Sequence, residues 1–178
     1  MNKLNRLVKI AAMTAVLCIS VYVVPPILVF GSVPFTIQTM VIFMIAYLFN
    51  KTDAFLILIL YVILGIIGLP VFSGGQSGLS AILGPTGGFL VLFPFVAYGI
   101  SMFKSKNKVW VIDYIITFLF GIVFLYGLAT IWLATVLSMN YFNALLILLP
   151  FVPLDLVKMV LAHTVYSKMP SLYELSTH

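Results

Sequence analysis

Three stretches without a single charged side chain constrain this chain more than any other feature. They cover residues 10–50, 54–103 and 114–154 and are 41, 50 and 41 residues long. A helix that crosses the hydrocarbon core of a bilayer needs about 20 residues (range ~17–25). Each stretch is too long for one crossing and suits two. Each also contains a break. Pro25-Pro26, with Gly31 and Pro34, interrupts the first, a glycine cluster the second, and Ser138, Asn140 and Asn143 the third. The predicted spans are 5–24, 36–50, 53–68, 87–103, 111–137 and 150–168. The expectation is an all-α integral membrane protein, a single six-helix domain over residues 1–178.

Composition supports lipid as the solvent. The chain is 63% hydrophobic and 7% charged, whereas soluble domains carry about 25% charged residues. Lys3, Arg6 and Lys9 ahead of an apolar run look like the start of a signal peptide. The rest of the chain is equally apolar, so the segment reads as an uncleaved first membrane helix. Cys18 is the only cysteine and cannot form an internal disulfide, and His163 and His178 do not make a metal site by themselves.

The charges supply an independent test of the span count. Six crossings put both termini on one side, with Lys3, Arg6, Lys9, Lys51, Lys104, Lys106, Lys108 and Lys168. That side then holds eight of the 9 basic residues. The opposite loops, near 25–35, 69–86 and 138–149, hold none. Cytoplasmic loops of membrane proteins carry the excess of Lys and Arg, so both termini are expected in the cytoplasm. A five- or seven-span arrangement would scatter the lysines over both sides. The net charge of +5 is thus a topology signal, not a nucleic-acid footprint.

The ninth basic residue breaks the asymmetry. Lys158 lies in "PFVPLDLVKMVLAH", where Pro150 and Pro153 mark the start of the sixth helix. Five residues of helix place it about 7–8 Å deeper than Pro153, on the side that otherwise avoids positive charge. Asp155 is three residues before it, on the same helix face. Asp155 can complement a helix N-terminus, and Lys158 can snorkel or neutralise Asp155. Ionisable groups inside spans are costly and mostly functional, however. The pair therefore reads as facing a cavity for a polar solute. His163, five residues on, need not share that face and is expected to bridge two helices.

Other polar or small residues sit where lipid would forbid or exploit them. Thr36 and Gln38 in "VPFTIQT" lie near the start of the second helix, Gln38 either interfacial or aimed inward. Eight of the 12 glycines fall between Gly65 and Gly88, in and around "GLPVFSGGQSGLSAILGPTGGF". Thr86 there is a candidate cap for the fourth helix, and the glycines allow tight turns and close backbone approach. Irregular backbone at membrane depth is tolerated where it is buried or lines a cavity, so this loop is expected to be a pocket wall or lid. Ala11 and Ala15, four apart in the first helix, permit close helix approach.

"VPFTIQT", "GLPVFSGGQSGLSAILGPTGGF" and "PLDLVK", in that order, resemble the BioY family, the biotin-specific substrate-binding (S) components of energy-coupling factor (ECF) transporters. The resemblance covers nearly the whole chain, and "GPTGGF" is its most specific part. It departs at Leu154, where the family often has glycine, and at Gln76-Ser77, in a variable part of the loop. It implies a six-helix S-component fold in a bacterial cell membrane and a biotin pocket near the outer surface. It also implies partners: a transmembrane coupling subunit, docked on the surface that holds Ala11 and Ala15, and two ABC-type ATPases. No cofactor is expected in this chain, which has no P-loop for ATP.

Biotin offers two ureido N–H donors, a ureido carbonyl, an apolar thioether ring and a carboxylate tail. Lys158 is the candidate for a polar or anionic end and Asp155 for N–H donors. In the reverse orientation Lys158 takes the ureido carbonyl while Asp155 holds it in place. Gln38, Thr86 and the backbone around Gly74, Gly75 and Gly87 are further candidates, with Phe72 and Phe89 to cover the ring. Three rival readings are an S component for a different vitamin, an intramembrane enzyme and a small channel. An enzyme needs a catalytic group, and Asp155 is the only acidic residue within the interior of an expected span and His163 the only embedded histidine.

Overall fold

The structure, a computed structural model, describes residues 3–23, 27–30 and 33–169. Helix α1 (Lys3–Val23) leads through a hairpin of β1 (Ile27–Phe30) and β2 (Val33–Phe35), antiparallel with Ile27 opposite Phe35. The hairpin holds the only strands among the described residues. The expected break at Pro25-Pro26 and Gly31 lies outside the described residues. Then follow α2 (Gln38–Leu48), α3 (Lys51–Ile66), a short α4 (Gly78–Leu83) and α5 (Gly87–Phe103). The expected fifth span is α6 (Trp110–Phe118) and α7 (Leu125–Val136), joined without interruption by a π-helical turn, Leu119–Phe124.

The six expected helices are therefore present, three of them long and apolar enough to cross a membrane among the described residues, but the last differs from its expected bounds. Residues 138–149 were expected as a loop. Instead α8 (Tyr141–Leu148) begins there and passes through a 3-10 turn, Leu149–Phe151, into α9 (Val152–Lys168). Trp110–Val136 and Tyr141–Lys168 are 27 and 28 residues long. Asn140, read as a breaker, is the α8 N-cap: its side chain accepts from the Asn143 N–H at 2.8 Å. Ser138, with φ 52°, makes the turn before it.

The outward helix faces are apolar. Phe95, Ile115, Val123, Ile131 and Val160 are each about half exposed or more, which suits lipid and not water. α2, α3 and α5 form the centre, with Phe43, Ile45, Ile57, Leu58, Val96 and Ile100 buried between them. α2 has 11 residues, or about 16 Å, well short of the ~30 Å hydrocarbon core. Its N-terminus therefore starts inside the bundle. Backbone ends at that depth require a cavity or protein cover.

The basic face is tied by side chains that satisfy helix ends. Lys104 Nζ donates to the carbonyls of Ala46, Tyr47 and Phe49 at 3.0, 2.5 and 2.6 Å, completing the C-terminus of α2. Four carbonyls there have no helical partner, and a cation also complements the dipole. Asn50 caps α3 by accepting from the Asp53 N–H, and Arg6 of α1 pairs with the Asp53 carboxylate at 2.5 Å. His163 bridges two helices as expected, from α9 to Asp113 of α6 at 3.2 Å, while Asp113 also accepts from the Ser105 N–H.

Hydrogen bonds from charged donors contribute roughly 1.5–3 kcal/mol each. Lys104→Met is therefore expected to lower the thermal midpoint in detergent by several degrees. Lys106→Met, at an exposed position two residues away, is expected to leave it unchanged. Equal midpoints for the two variants would show that Lys104 does not hold the end of α2.

Candidate functional site: a polar cavity beneath the glycine-rich loop

The first two turns of α9 place Asp155 and Lys158 three residues apart on one face, turned inward. They form an ion pair at 2.6 Å with only 3% and 7% of their surfaces exposed. Thr39 of α2 sits between them: its hydroxyl accepts from Lys158 Nζ and donates to Asp155 Oδ1, both at 3.0 Å. Tyr126 of α7 donates to Asp155 Oδ2 at 2.7 Å. The π turn ends just before Tyr126. Such turns shift the helical register and recur at functional sites. Three helices thus converge on one carboxylate.

These groups line a cleft with about 580 Å³ of unfilled space, its open mouth included. Five of the expected site residues line it: Asp155, Lys158, Gln38, Thr86 and Phe89. Thr36, Thr39, Ser73 and Tyr126 add hydroxyls, and Leu90, Phe93, Leu148 and Phe151 make apolar walls. Phe89 meets Tyr126 edge-on, with ring centroids 5.6 Å apart. An apolar body with a few convergent polar groups is the ordinary make-up of a site for a small solute.

Gln38 is turned inward. Its amide donates to the Tyr61 hydroxyl, which donates onward to the Val71 carbonyl at 3.0 Å. One end of the glycine-rich loop is thus fixed to the cavity wall. Thr86 occupies the N-cap position of α5 without making a side-chain cap hydrogen bond, so its expected capping role is not seen.

Four expected residues do not line the cleft. Phe72 is buried against Tyr61, with centroids 5.5 Å apart, in a notch that exists because residue 65 is glycine; a Cβ there would overlap the Phe72 ring. Phe72 therefore anchors the loop. Gly74 and Gly75 hold φ of 74° and 71° in the turn that follows. Gly87 packs its Cα against the Ile82 carbonyl, too close for any side chain. These three glycines shape the loop. Trp132 of α7 closes the far side by donating to the Gly84 carbonyl at 3.0 Å.

The residues that sequence reasoning missed, Thr39, Ser73 and Tyr126, are all hydroxyl-bearing. Thr39 directly follows Gln38, whose amide the sequence leaves either interfacial or aimed inward. Nothing in the sequence separates Tyr126 from other membrane tyrosines. Ala11 and Ala15 lie away from this site, both exposed on one face of α1.

Fold and site together define a membrane-embedded helical protein with a buried, mixed-polarity cavity for a small solute. The BioY family model matches residues 1–174, and this chain belongs to the BioY family. It is 33% identical over 165 residues to the biotin transporter BioY2 of Lactococcus lactis subsp. cremoris (strain MG1363), covering 90% of this chain and 87% of that one. It is 30% identical over 177 residues to the biotin transporter BioY of Thermotoga maritima, covering 95% and 98%. Among solved structures it is similar to the S-component for biotin from an ECF-type ABC transporter. That match has a TM-score of 0.87 and 29% identity and covers 97% of each chain.

Removing one partner of a buried ion pair costs about 3–5 kcal/mol, whereas replacing both by apolar groups is often neutral. Lys158→Met alone is expected to lower the ligand-free thermal midpoint markedly. Asp155→Leu combined with Lys158→Met is expected to restore most of it. A double variant no more stable than the single one would show that the two charges do not depend on each other.

Proposed function

We propose that this protein captures biotin from outside the cell and serves its uptake as the substrate-specific subunit of an ATP-driven ECF transporter. The observation that carries the reading is the Asp155–Lys158 pair in the wall of the cavity, in a chain of the BioY family. The whole chain acts as one six-helix binding unit in a bacterial cell membrane, with the basic face in the cytoplasm. A coupling subunit and two ABC-type ATPases supply the energy, and α1, with Ala11 and Ala15 exposed, is the docking surface for the coupling subunit. The likeness to an ECF S-component supports those partners. Family membership also favours a transporter subunit over an enzyme or a channel.

The charges favour one orientation of the ligand. Asp155 and Lys158 sum to zero, so they attract no anion, and a carboxylate beside Lys158 would also meet Asp155. The neutral ureido group offers both an acceptor and donors and matches a pair that offers both a donor and an acceptor. Lys158 therefore faces the ureido carbonyl. Asp155 already accepts three hydrogen bonds of the roughly four that a carboxylate takes. One position is left for a ureido N–H. Gln38, Thr86 and Phe89 complete the walls. Phe72, Gly74, Gly75 and Gly87 act through the shape of the loop.

Losing a buried charged partner costs ~2–5 kcal/mol in binding. Lys158→Ala is therefore expected to weaken labelled biotin binding at least ~30-fold. The same loss is expected for the methyl ester of biotin, which keeps the ureido ring. Unchanged affinity would remove Lys158 from the site. A loss confined to the free acid would reverse the orientation. Competition with excess unlabelled vitamins tests the ligand itself: displacement by another vitamin better than by biotin would contradict the reading.

A further inference from the structure

Most polar side chains around the cavity have partners within the protein. Asp155, Lys158, Thr39 and Tyr126 bond one another, and Gln38 bonds Tyr61. Ser73 is different. Among the described residues, its Oγ is the one buried side-chain polar atom without a hydrogen-bond partner, and Ser73 lines the cavity. Native proteins seldom leave a buried hydroxyl unpaired, and each such case calls for a physical reason.

The backbone around Ser73 is fixed. The preceding Phe72 is clamped under Tyr61. The Phe72 N–H donates to the Gln76 carbonyl at 3.1 Å, and the Gly75 N–H donates to the Phe72 carbonyl at 2.9 Å. The Val71 carbonyl is held by Tyr61. Ser73 lines the cavity from this fixed turn, and its unpaired hydroxyl moves only by rotation about χ1.

We infer that Ser73 is a specificity-determining residue whose Oγ accepts a hydrogen bond from a ureido N–H of the ligand. The inference rests on reading the cavity as the biotin site and goes beyond it by completing the count of polar groups. A ureido ring presents one carbonyl and two N–H groups. Lys158 meets the carbonyl, the open position on Asp155 meets one N–H, and Ser73 meets the other. The tail carboxylate has no place at Ser73, because an anion buried there without a cation of its own would be strongly disfavoured.

The test measures two proteins against two ligands. Wild type and Ser73→Ala are titrated with biotin and with biotin methyl ester, and the ligand-free thermal midpoint of each protein is recorded. Ser73→Ala is expected to bind both ligands about tenfold more weakly, the scale of one buried unpaired donor. Its ligand-free midpoint is expected to equal or exceed that of wild type, because the hydroxyl has no internal partner to lose. A merely structural serine would lower the midpoint instead. Unchanged affinity overturns the contact, and a loss seen with biotin but not with the ester overturns the assignment to the ring. Wild-type protein that binds neither ligand would sink the reading of the cavity itself, an outcome separate from either failure of Ser73.

Discussion

The structure turns on one carboxylate. Asp155 lies in the apolar interior of a membrane bundle, where an unpaired charge would be prohibitive. Its neutralisation requires Lys158 one turn along α9, Thr39 at the buried start of α2 and Tyr126 just beyond the π turn. Each requirement shapes a helix. α2 must begin deep enough for Thr39 to reach the pair. The fifth span must carry its π turn so that Tyr126 faces α9. α9 must start its helical run at Val152, just after the 3-10 turn that contains Pro150. The cavity is the space these helices leave above the pair.

The two faces of the bundle are built for different tasks. On the basic face the polar groups are spent on one another: Lys104 on α2 carbonyls, Arg6 on Asp53, His163 on Asp113, and the Tyr47 hydroxyl on Thr117 at 2.5 Å. Tyr47 and Tyr166 stack beside them, with centroids 5.1 Å apart. On the opposite face, bonding capacity remains at Asp155 and Ser73. A rigid base under a wall with unspent hydrogen bonds is the arrangement expected of a pre-organised binding protein, where ordering costs are met during folding and not during binding.

How much of this the sequence discloses depends on how distinctive each signal is. Hydropathy and charge placement gave six spans, and Asp155 and Lys158 stood out because charge is rare in such windows. The start of α8 was misread because Asn and Ser serve equally as loop residues and helix caps, and only the Asn140–Asn143 geometry separates them. Phe72 does not line the cleft because an aromatic in a glycine loop faces either cavity or core, and the notch at Gly65 draws it to the core. Gly87 was placed near the ligand for a similar reason: close approach to a backbone carbonyl and close approach to a solute leave the same residue. Ser73 and Tyr126 carry no local signal at all, since their roles arise from contacts between elements distant in the chain.

The central claim is that the cavity beneath the glycine-rich loop holds biotin against the Asp155–Lys158 pair. The most direct measurement is an experimental structure of the protein with biotin bound. The account predicts density for the fused rings between α9 and the loop, with the ureido carbonyl within hydrogen-bond distance of Lys158 Nζ. Biotin lying elsewhere in the bundle, or in this cavity with its carboxylate on Lys158, would contradict it.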